Sequence, residues 1–261
     1  MPTVAARDAE IHYEAHGEGP AVVFAHGAGG NAASWWAQVP AFVAAGHRVI
    51  TFDHRAFGRS RCAGEHFDPA EFPADLRAIL DAAGVERAAL VCQSMGGWTG
   101  LPFALAWPER VSALVLCGTP GGLWTEAVAA SFAGIASRMA RDGGIVGPGG
   151  AALGATYRAA HPEGEFLYDQ IAGFNVGLEP GAVGRIAGVR VTADALAGFA
   201  TPTLVISGDE DVLFTPDALA SVAAAIPGAR LERLTATGHS AYFERPEAFN
   251  RLVLAFLASN P

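Results

Sequence analysis

The chain has 261 residues, of which 51% are apolar and 16% charged, and its formal net charge is −9 at pH 7. This composition is typical of a compact globular protein and excludes a disordered chain. The acidic balance argues against nucleic acid or an anionic membrane surface as a partner, because both bind to basic faces. No apolar run reaches the roughly 20 residues that span a bilayer. The N-terminus lacks a basic segment followed by an apolar stretch, so no signal peptide is expected.

The cysteines Cys62, Cys92 and Cys117 show no paired spacing, and their odd number argues against a disulfide framework. Cys92 and Cys117 lie in apolar runs that are typical of buried strands, so we expect them to fill the core. Unpaired, buried cysteines favour a reducing compartment, and we expect the protein to be cytoplasmic.

Short apolar runs alternate with helix-like stretches through much of the chain. This alternation predicts an α/β fold with a mostly parallel central sheet and helices on both faces. The predicted strands are 10–16, 21–25, 47–52, 88–92, 111–117, 203–207 and 230–234. The predicted helices are 72–83, 98–107, 216–226 and 246–257.

Residues 121–198 break this rhythm. They contain helix-like pieces at 127–141 and 149–160, a glycine-rich interruption at 143–150 and no clear strand. An insertion of this length between two strands predicts a small helical lid over the sheet edge, and a plain helical connector is the alternative. The chain therefore divides into a first core segment at 1–120, the lid at 121–198 and a second core segment at 199–261.

The stretch 90–97, Leu-Val-Cys-Gln-Ser-Met-Gly-Gly, joins a predicted strand directly to a predicted helix. A strand that ends at a serine and continues as a helix forces the serine into a tight, strained turn, which requires small residues two positions away. Gly96 meets this requirement, and Cys92 stands where glycine is usual. The turn would expose the Ser94 hydroxyl and direct the N–H of Met95 toward developing negative charge.

The stretch 24–30, Phe-Ala-His-Gly-Ala-Gly-Gly, follows another buried strand. Its glycines allow the loop to fold over the sheet edge, where the N–H of Ala28 would be a second donor to an oxyanion. It lacks the Gly-Lys-Ser/Thr ending of a phosphate loop and the spacing of a dinucleotide-binding loop. We interpret His26 as a hydrogen-bonded structural residue.

Two later stretches carry an acid and a histidine. The strand in 202–211 ends in the carboxylates Asp209, Glu210 and Asp211, and one of them is expected to orient a histidine. His239 lies beside a glycine on a predicted loop. The order of serine, acid and histidine matches a Ser-His-Asp triad on an α/β sheet rather than the orders of chymotrypsin or subtilisin.

With these residues, the chain resembles the α/β-hydrolase superfamily. It is similar to small bacterial members such as 3-oxoadipate enol-lactonases, carboxylesterases and meta-cleavage-product hydrolases. The resemblance covers nearly the whole chain outside the lid and includes His26-Gly27, residues 52–60, the turn at Ser94 and residues 238–246. Within 52–60, Asp53 and Arg55 are expected to be structural, as a buried charge pair.

The resemblance implies a catalytic role for each motif. It implies Ser94 as nucleophile, His239 as base, and the N–H groups of Ala28 and Met95 as the oxyanion hole. Because the acid in such proteins stands three residues after the glycine that closes its strand, the resemblance selects Asp211. It implies no metal or organic cofactor.

The favoured hypothesis is hydrolysis of a carboxylic ester or lactone, through an acyl-enzyme, on a small molecule with an apolar or aromatic portion. Alternatives are carbon–carbon bond hydrolysis of meta-cleavage-type diketones, a cofactor-free oxygenase or perhydrolase, and a non-catalytic ligand receptor. Gln93, Trp124 and Arg158 are candidate substrate contacts, and Arg158 would be the cation that a diketone carboxylate requires. Core packing is the alternative for Gln93.

Overall fold

The computed structural model describes residues 2–142, 148–179 and 181–260. The strands within them are β1 Thr3–Ala6, β2 Ala9–His16, β3 Ala21–Ala25, β4 Arg48–Phe52, β5 Arg61–Cys62, β6 Ala88–Gln93, β7 Val111–Cys117, β8 Thr203–Gly208 and β9 Arg230–Leu234. These nine strands form one sheet in the order β1-β2-β4-β3-β6-β7-β8-β9, with β5 beside β2. Strand β2 pairs antiparallel with β1, β4 and β5, and all the other pairs are parallel, which confirms the predicted sheet.

Helices cover both faces of this sheet. Because successive strand residues point to opposite faces, the neighbours Val22 and Val23 belong to two different buried clusters. The α-helices of the described residues are α1 Gln38–Ala44, α2 Phe72–Ala82, α3 Gly97–Ala106, α4 Glu126–Asp142, α5 Pro148–Ala152, α6 Ala155–Ala160, α7 Pro162–Gly173, α8 Pro216–Ala225, α9 Ala241–Glu244 and α10 Pro246–Ala258. One cluster includes residues of α2, α3 and α8, and the other includes residues of α1 and α10.

The segment between β7 and β8 contains α4 to α7 and two short 3₁₀ helices. The predicted helix 149–160 is wrong as one element, because it is divided into α5 and α6. The break occurs where the N–H of Gly154 donates to the Glu244 carboxylate. Much of the predicted glycine-rich interruption, 143–147, lies outside the described residues. None of the helices in the described ranges is long and apolar enough to cross a membrane.

Parallel pairing brings the carboxyl ends of β3, β6, β7, β8 and β9 to one edge of the sheet. The residues that follow these ends include Ser94 after β6, Asp211 after β8 and His239 after β9. Clefts at this edge are where open α/β sheets bind ligands.

Candidate active site

Ser94 occupies a strained turn between β6 and α3. Its φ is +49°, in the left-handed region that costs a non-glycine residue conformational energy. The turn approaches the end of β3 so closely that a Cβ added at Gly96 would overlap the carbonyl oxygen of Ala25. A Cβ at Gly97 would likewise overlap the Thr119 side chain. The two glycines therefore allow the turn to pack closely between the ends of β3 and β7.

His239 forms a hydrogen bond with Asp211. Its Nδ1 lies 2.8 Å from Asp211 Oδ2, and both residues are buried. The other carboxylate oxygen accepts the N–H groups of Leu213 at 2.8 Å and Phe214 at 3.0 Å, which fix the carboxylate. The acid is therefore held by hydrogen bonds at both carboxylate oxygens.

The neighbouring carboxylate Asp209 has a different partner. Asp209 Oδ1 accepts from the exposed Arg233 at 3.1 Å. The structure thus brings Asp211, and not Asp209, to the histidine.

The bond to Asp211 determines the proton arrangement of His239. A carboxylate accepts from Nδ1–H, so Nε2 carries the lone pair of the neutral ring. Nε2 is buried and has no hydrogen-bond partner in the described part of the chain. Gly118, after β7, makes room for this ring, because a Cβ there would lie 3.1 Å from His239 Nδ1.

His26 orients the loop after β3. Its Nδ1–H donates to the carbonyl of Gly27 at 2.8 Å, and its Nε2 accepts the N–H of His54 at 2.9 Å. Burial lowers the pKa of His26 to about 4, so the ring is neutral, as these two bonds require. In a trans peptide the C=O and N–H point in opposite directions. The N–H of Ala28, in the same peptide unit, therefore points away from His26.

Ser94 and His239 line one cavity of about 240 Å³. Tyr168 of α7 contributes one wall, and its hydroxyl accepts from Ser240 at 3.1 Å. Among the described residues that line this cavity there is no Asp, Glu, Lys or Arg. The lining consists of Ala28, Gly29, Gln93, Ser94, Ala151, Ala152, Tyr168, Leu213 and His239.

The predicted site residues differ in their placement. Ala28 lines the cavity, and Met95, in the turn after Ser94, is completely buried. Gln93 lines the cavity but is 1% exposed, and its side-chain amide donates to the carbonyl of His239 at 3.3 Å. Gln93 is therefore packed in the core and also forms part of the cavity wall. The catalytic roles of these residues stay predictions.

Trp124 and Arg158 are not among the residues that line this cavity, and their role as substrate contacts stays a prediction. The Trp124 ring stacks on Phe132 at 4.9 Å and lies under the guanidinium of Arg190 at 3.9 Å. Arg158 lies 3.7 Å from Glu165. Each side chain is thus occupied by neighbours within the insertion.

Asp53 and Arg55 are buried, but the expectation that they pair with each other is wrong. Arg55 forms a two-bond ion pair with Asp75 at 2.7 and 2.6 Å. Asp53 instead accepts the backbone N–H groups of Ala32 at 2.6 Å and Arg59 at 2.8 Å. The carboxylate thus joins the loop after β3 to the loop after β4.

Several residues of the site carried little signal in the sequence. Gly118 could have been found, because it directly follows a buried strand at the same sheet edge. Ala151 and Ala152 belong to the insertion, whose position over the sheet depends on tertiary contacts. No group of three or more His, Cys, Asp or Glu side chains that could hold a metal ion occurs within the described ranges.

Comparison with known proteins agrees with this architecture. A sequence model described as the alpha/beta hydrolase fold matches residues 20–246. The 2-hydroxy-6-oxo-6-phenylhexa-2,4-dienoate hydrolase of Comamonas testosteroni is 33% identical over 95% of this chain and 91% of its own length. The structure of Est816, described as an N-acyl homoserine lactone degrading enzyme, has a TM-score of 0.81 and 28% identity, covering 98% of this chain and 100% of Est816.

A bromoperoxidase from Bacillus anthracis has a TM-score of 0.79 and 26% identity, covering 98% of this chain and all of its own. Relatives with different named activities thus share one fold with this chain over almost its full length. Together with the match over residues 20–246, this shows that the chain belongs to the α/β-hydrolase family.

Proposed function

We propose that the protein is a serine hydrolase of carboxylic esters or lactones, with Ser94 as nucleophile, His239 as base and Asp211 as the orienting acid. The observation that supports this proposal is the bond between Asp211 and His239 Nδ1. It leaves Nε2 as the basic atom of a residue that lines the same cavity as Ser94. A serine in a strained turn beside such a base is the arrangement that nucleophilic acyl transfer requires.

In this mechanism, Ser94 Oγ attacks the substrate carbonyl carbon while its proton passes to His239 Nε2. Asp211 stabilises the imidazolium, and the N–H groups of Ala28 and Met95 donate to the oxyanion, each contributing about 3 kcal/mol. His239 then gives the proton to the leaving oxygen as the carbon–oxygen bond breaks. Water, activated by the same histidine, hydrolyses the acyl-enzyme and restores Ser94.

The cavity favours a short, uncharged acyl portion. Its volume of about 240 Å³ lies below the roughly 300–1,000 Å³ of pockets that bind drug-sized ligands. Meta-cleavage diketones carry a carboxylate, and an unpaired charge in an apolar cavity is strongly disfavoured. Arg158, the cation considered for that carboxylate, lies beside Glu165 and outside the cavity. These observations favour ester or lactone hydrolysis over carbon–carbon hydrolysis.

We also propose that the protein works in a reducing compartment such as the cytoplasm, because all three cysteines are free.

The test is turnover of p-nitrophenyl acetate, butyrate and octanoate, an aryl lactone and a meta-cleavage dienoate. Wild type is compared with Ser94→Ala and His239→Ala, and a fluorophosphonate label is mapped by mass spectrometry. We expect ester or lactone turnover that falls by about 10⁴-fold or more in both variants, with the label on Ser94. Preferential turnover of the dienoate would reassign the reaction to carbon–carbon hydrolysis. Hydrolysis or peroxide-dependent oxidation that survives Ser94→Ala would refute the mechanism.

A further inference from the structure

Glu244 is a buried carboxylate that the proposed reaction does not use. It ends α9 and is 4% exposed. Its Oε2 accepts the N–H of Gly238 at 2.8 Å and the N–H of Gly154 at 3.2 Å. Gly238 precedes His239, and Gly154 separates α5 from α6 in the insertion. One carboxylate oxygen therefore joins the histidine loop to the segment that lies over Ser94.

The two backbones that share this oxygen touch each other. A Cβ added at Gly154 would lie 2.8 Å from the nitrogen of Gly238, and a Cβ at Gly238 would overlap the backbone of Gly154. Two N–H groups that converge in a buried place require an acceptor, since an unsatisfied buried donor is costly. Glu244 supplies that acceptor for both.

A backbone bond next to this contact reaches the cavity. The N–H of Ser240 donates to the carbonyl of Ala152 at 3.0 Å. Ala152 lines the cavity together with Ser94 and His239. A displacement of the Gly154 segment would therefore move a cavity wall and the histidine loop relative to each other.

We propose that Glu244 is a positioning residue that holds the His239 loop and the cavity wall at 151–154 in fixed relation to Ser94. We call the contact of Glu244 with Gly154 and Gly238 the Glu244 clamp. The kinetic consequence of the clamp rests on the function proposed above. Its structural consequence, protection of the two glycine amides, does not.

The variants that test the clamp are Glu244→Ala, which removes the acceptor, and Glu244→Gln, which keeps an acceptor oxygen without the charge. Glu210→Gln is the matched control. The Glu210 carboxylate accepts the N–H of Thr156 at 2.9 Å, so it contacts the same segment of the insertion without bonding the N–H of Gly238. For each variant, hydrogen exchange of the Gly154 and Gly238 amides is measured by NMR, together with kcat and KM for p-nitrophenyl butyrate.

In Glu244→Ala, we expect exchange of both glycine amides to accelerate at least about tenfold, because their hydrogen bonds are lost. The value of kcat/KM should fall by about 10- to 100-fold, since small misplacements of reacting groups carry penalties of this size. The kcat should fall because His239 shifts, and KM should rise because the cavity wall shifts. Glu244→Gln should restore amide protection and both kinetic constants, and Glu210→Gln should leave them at the wild-type values.

Wild-type protection of both amides in Glu244→Ala would overturn the clamp. Accelerated exchange with unchanged kcat and KM would also overturn it, because Glu244 would then support the fold alone. Should Glu244→Ala fail to fold, Glu244→Asp replaces it, since the shorter side chain cannot reach both N–H groups in the present geometry. If the wild type hydrolyses no ester or lactone, the proposed function fails by itself, and amide exchange still decides whether the clamp exists.

Discussion

The Sγ of Cys92 lies against the Cα of Gly100, so closely that a Cβ added to Gly100 would overlap the sulfur. Cys92 belongs to the strand that leads to Ser94, and Gly100 belongs to the helix that follows it. The side chain at the position usually held by glycine is therefore accommodated by a glycine on the facing helix.

This contact predicts the effect of Gly100→Ala. The added methyl group should destabilise the protein by about 1–3 kcal/mol, the usual cost of overpacking a core. Urea denaturation measures the change. Cys92→Ala in the same chain should recover most of the loss, because it removes the sulfur. Gly134→Ala is the control in an exposed helix with open space at the Cβ, and it should stabilise by about 0.4–1 kcal/mol. Gly100→Ala as stable as wild type would contradict the contact.

Asp211→Asn should lower kcat by about 10⁴-fold for the best substrate while leaving the fold intact. The amide oxygen can still accept the N–H groups of Leu213 and Phe214, but the amide nitrogen would then face His239 and favour the wrong tautomer. Steady-state kinetics and circular dichroism check this expectation. Asp209→Asn, which alters only the neighbouring carboxylate bonded to Arg233, should retain wild-type kcat. Equal losses in the two variants would show that the acid is misassigned.

The volume of the cavity predicts a limit on acyl length. Wild type should prefer p-nitrophenyl butyrate over octanoate by about tenfold or more, because overfilling a tight site costs about 1–3 kcal/mol. Ala151→Leu should shift the preference toward acetate, and Leu213→Ala should shift it toward octanoate. The ratios of kcat/KM within one variant provide the readout, so differences in active fraction cancel. Shifts in the same direction for both variants would disprove this account of the cavity.

The buried His26 predicts acid sensitivity of the fold. Its pKa is lowered to about 4 in the folded protein, whereas an exposed histidine titrates near 6.5. As the pH falls, the unfolded chain therefore protonates His26 before the folded protein does. The contribution of neutral His26 to the free energy of unfolding is complete above pH 6.5 and is lost as the pH falls toward 4. His26 should account for a loss of about 2 kcal/mol between pH 7.5 and pH 5. Burial also lowers the pKa of His54 well below its ordinary value, which acts in the same direction.

Urea denaturation at pH 7.5 and pH 5 measures this loss. His26→Gln should show a smaller difference between the two free energies of unfolding than wild type, whatever its absolute stability. His161→Gln, at an exposed position, should keep the wild-type difference. A wild-type difference in His26→Gln would exclude His26 as the source.

The strands were the most predictable part of this fold. Val111–Cys117 and Arg230–Leu234 have the predicted bounds, because turns at both ends delimit these short apolar or strand-like runs. β1 at Thr3–Ala6 was not predicted, since a four-residue strand at the sheet edge leaves only a weak pattern. Helix α7 at Pro162–Gly173 was also missed, as were the contacts that place it over the sheet.

The site was predictable wherever residues follow parallel strands. Ser94, Asp211 and His239 come after three such strands, so their approach at one edge follows from the sheet alone. Partnerships between distant segments were not predictable in this way. Arg55 is two residues from Asp53 yet pairs with Asp75, because the choice depends on where α2 lies. The Glu244 clamp likewise depends on the position of the insertion.

The position of the insertion has a consequence for how the protein folds. Strands β7 and β8 pair side by side, although residues 118–202 separate them in the chain. Closing so long a loop costs chain entropy before the contacts between the two strands stabilise the chain. Non-local pairing of this kind therefore slows folding. We therefore expect the strands up to β7 to become protected before β8 and β9 during refolding, as pulse-labelling hydrogen exchange can show. Asp211 and His239 would then reach Ser94 late, so that the proposed active site is assembled only in the final folding step.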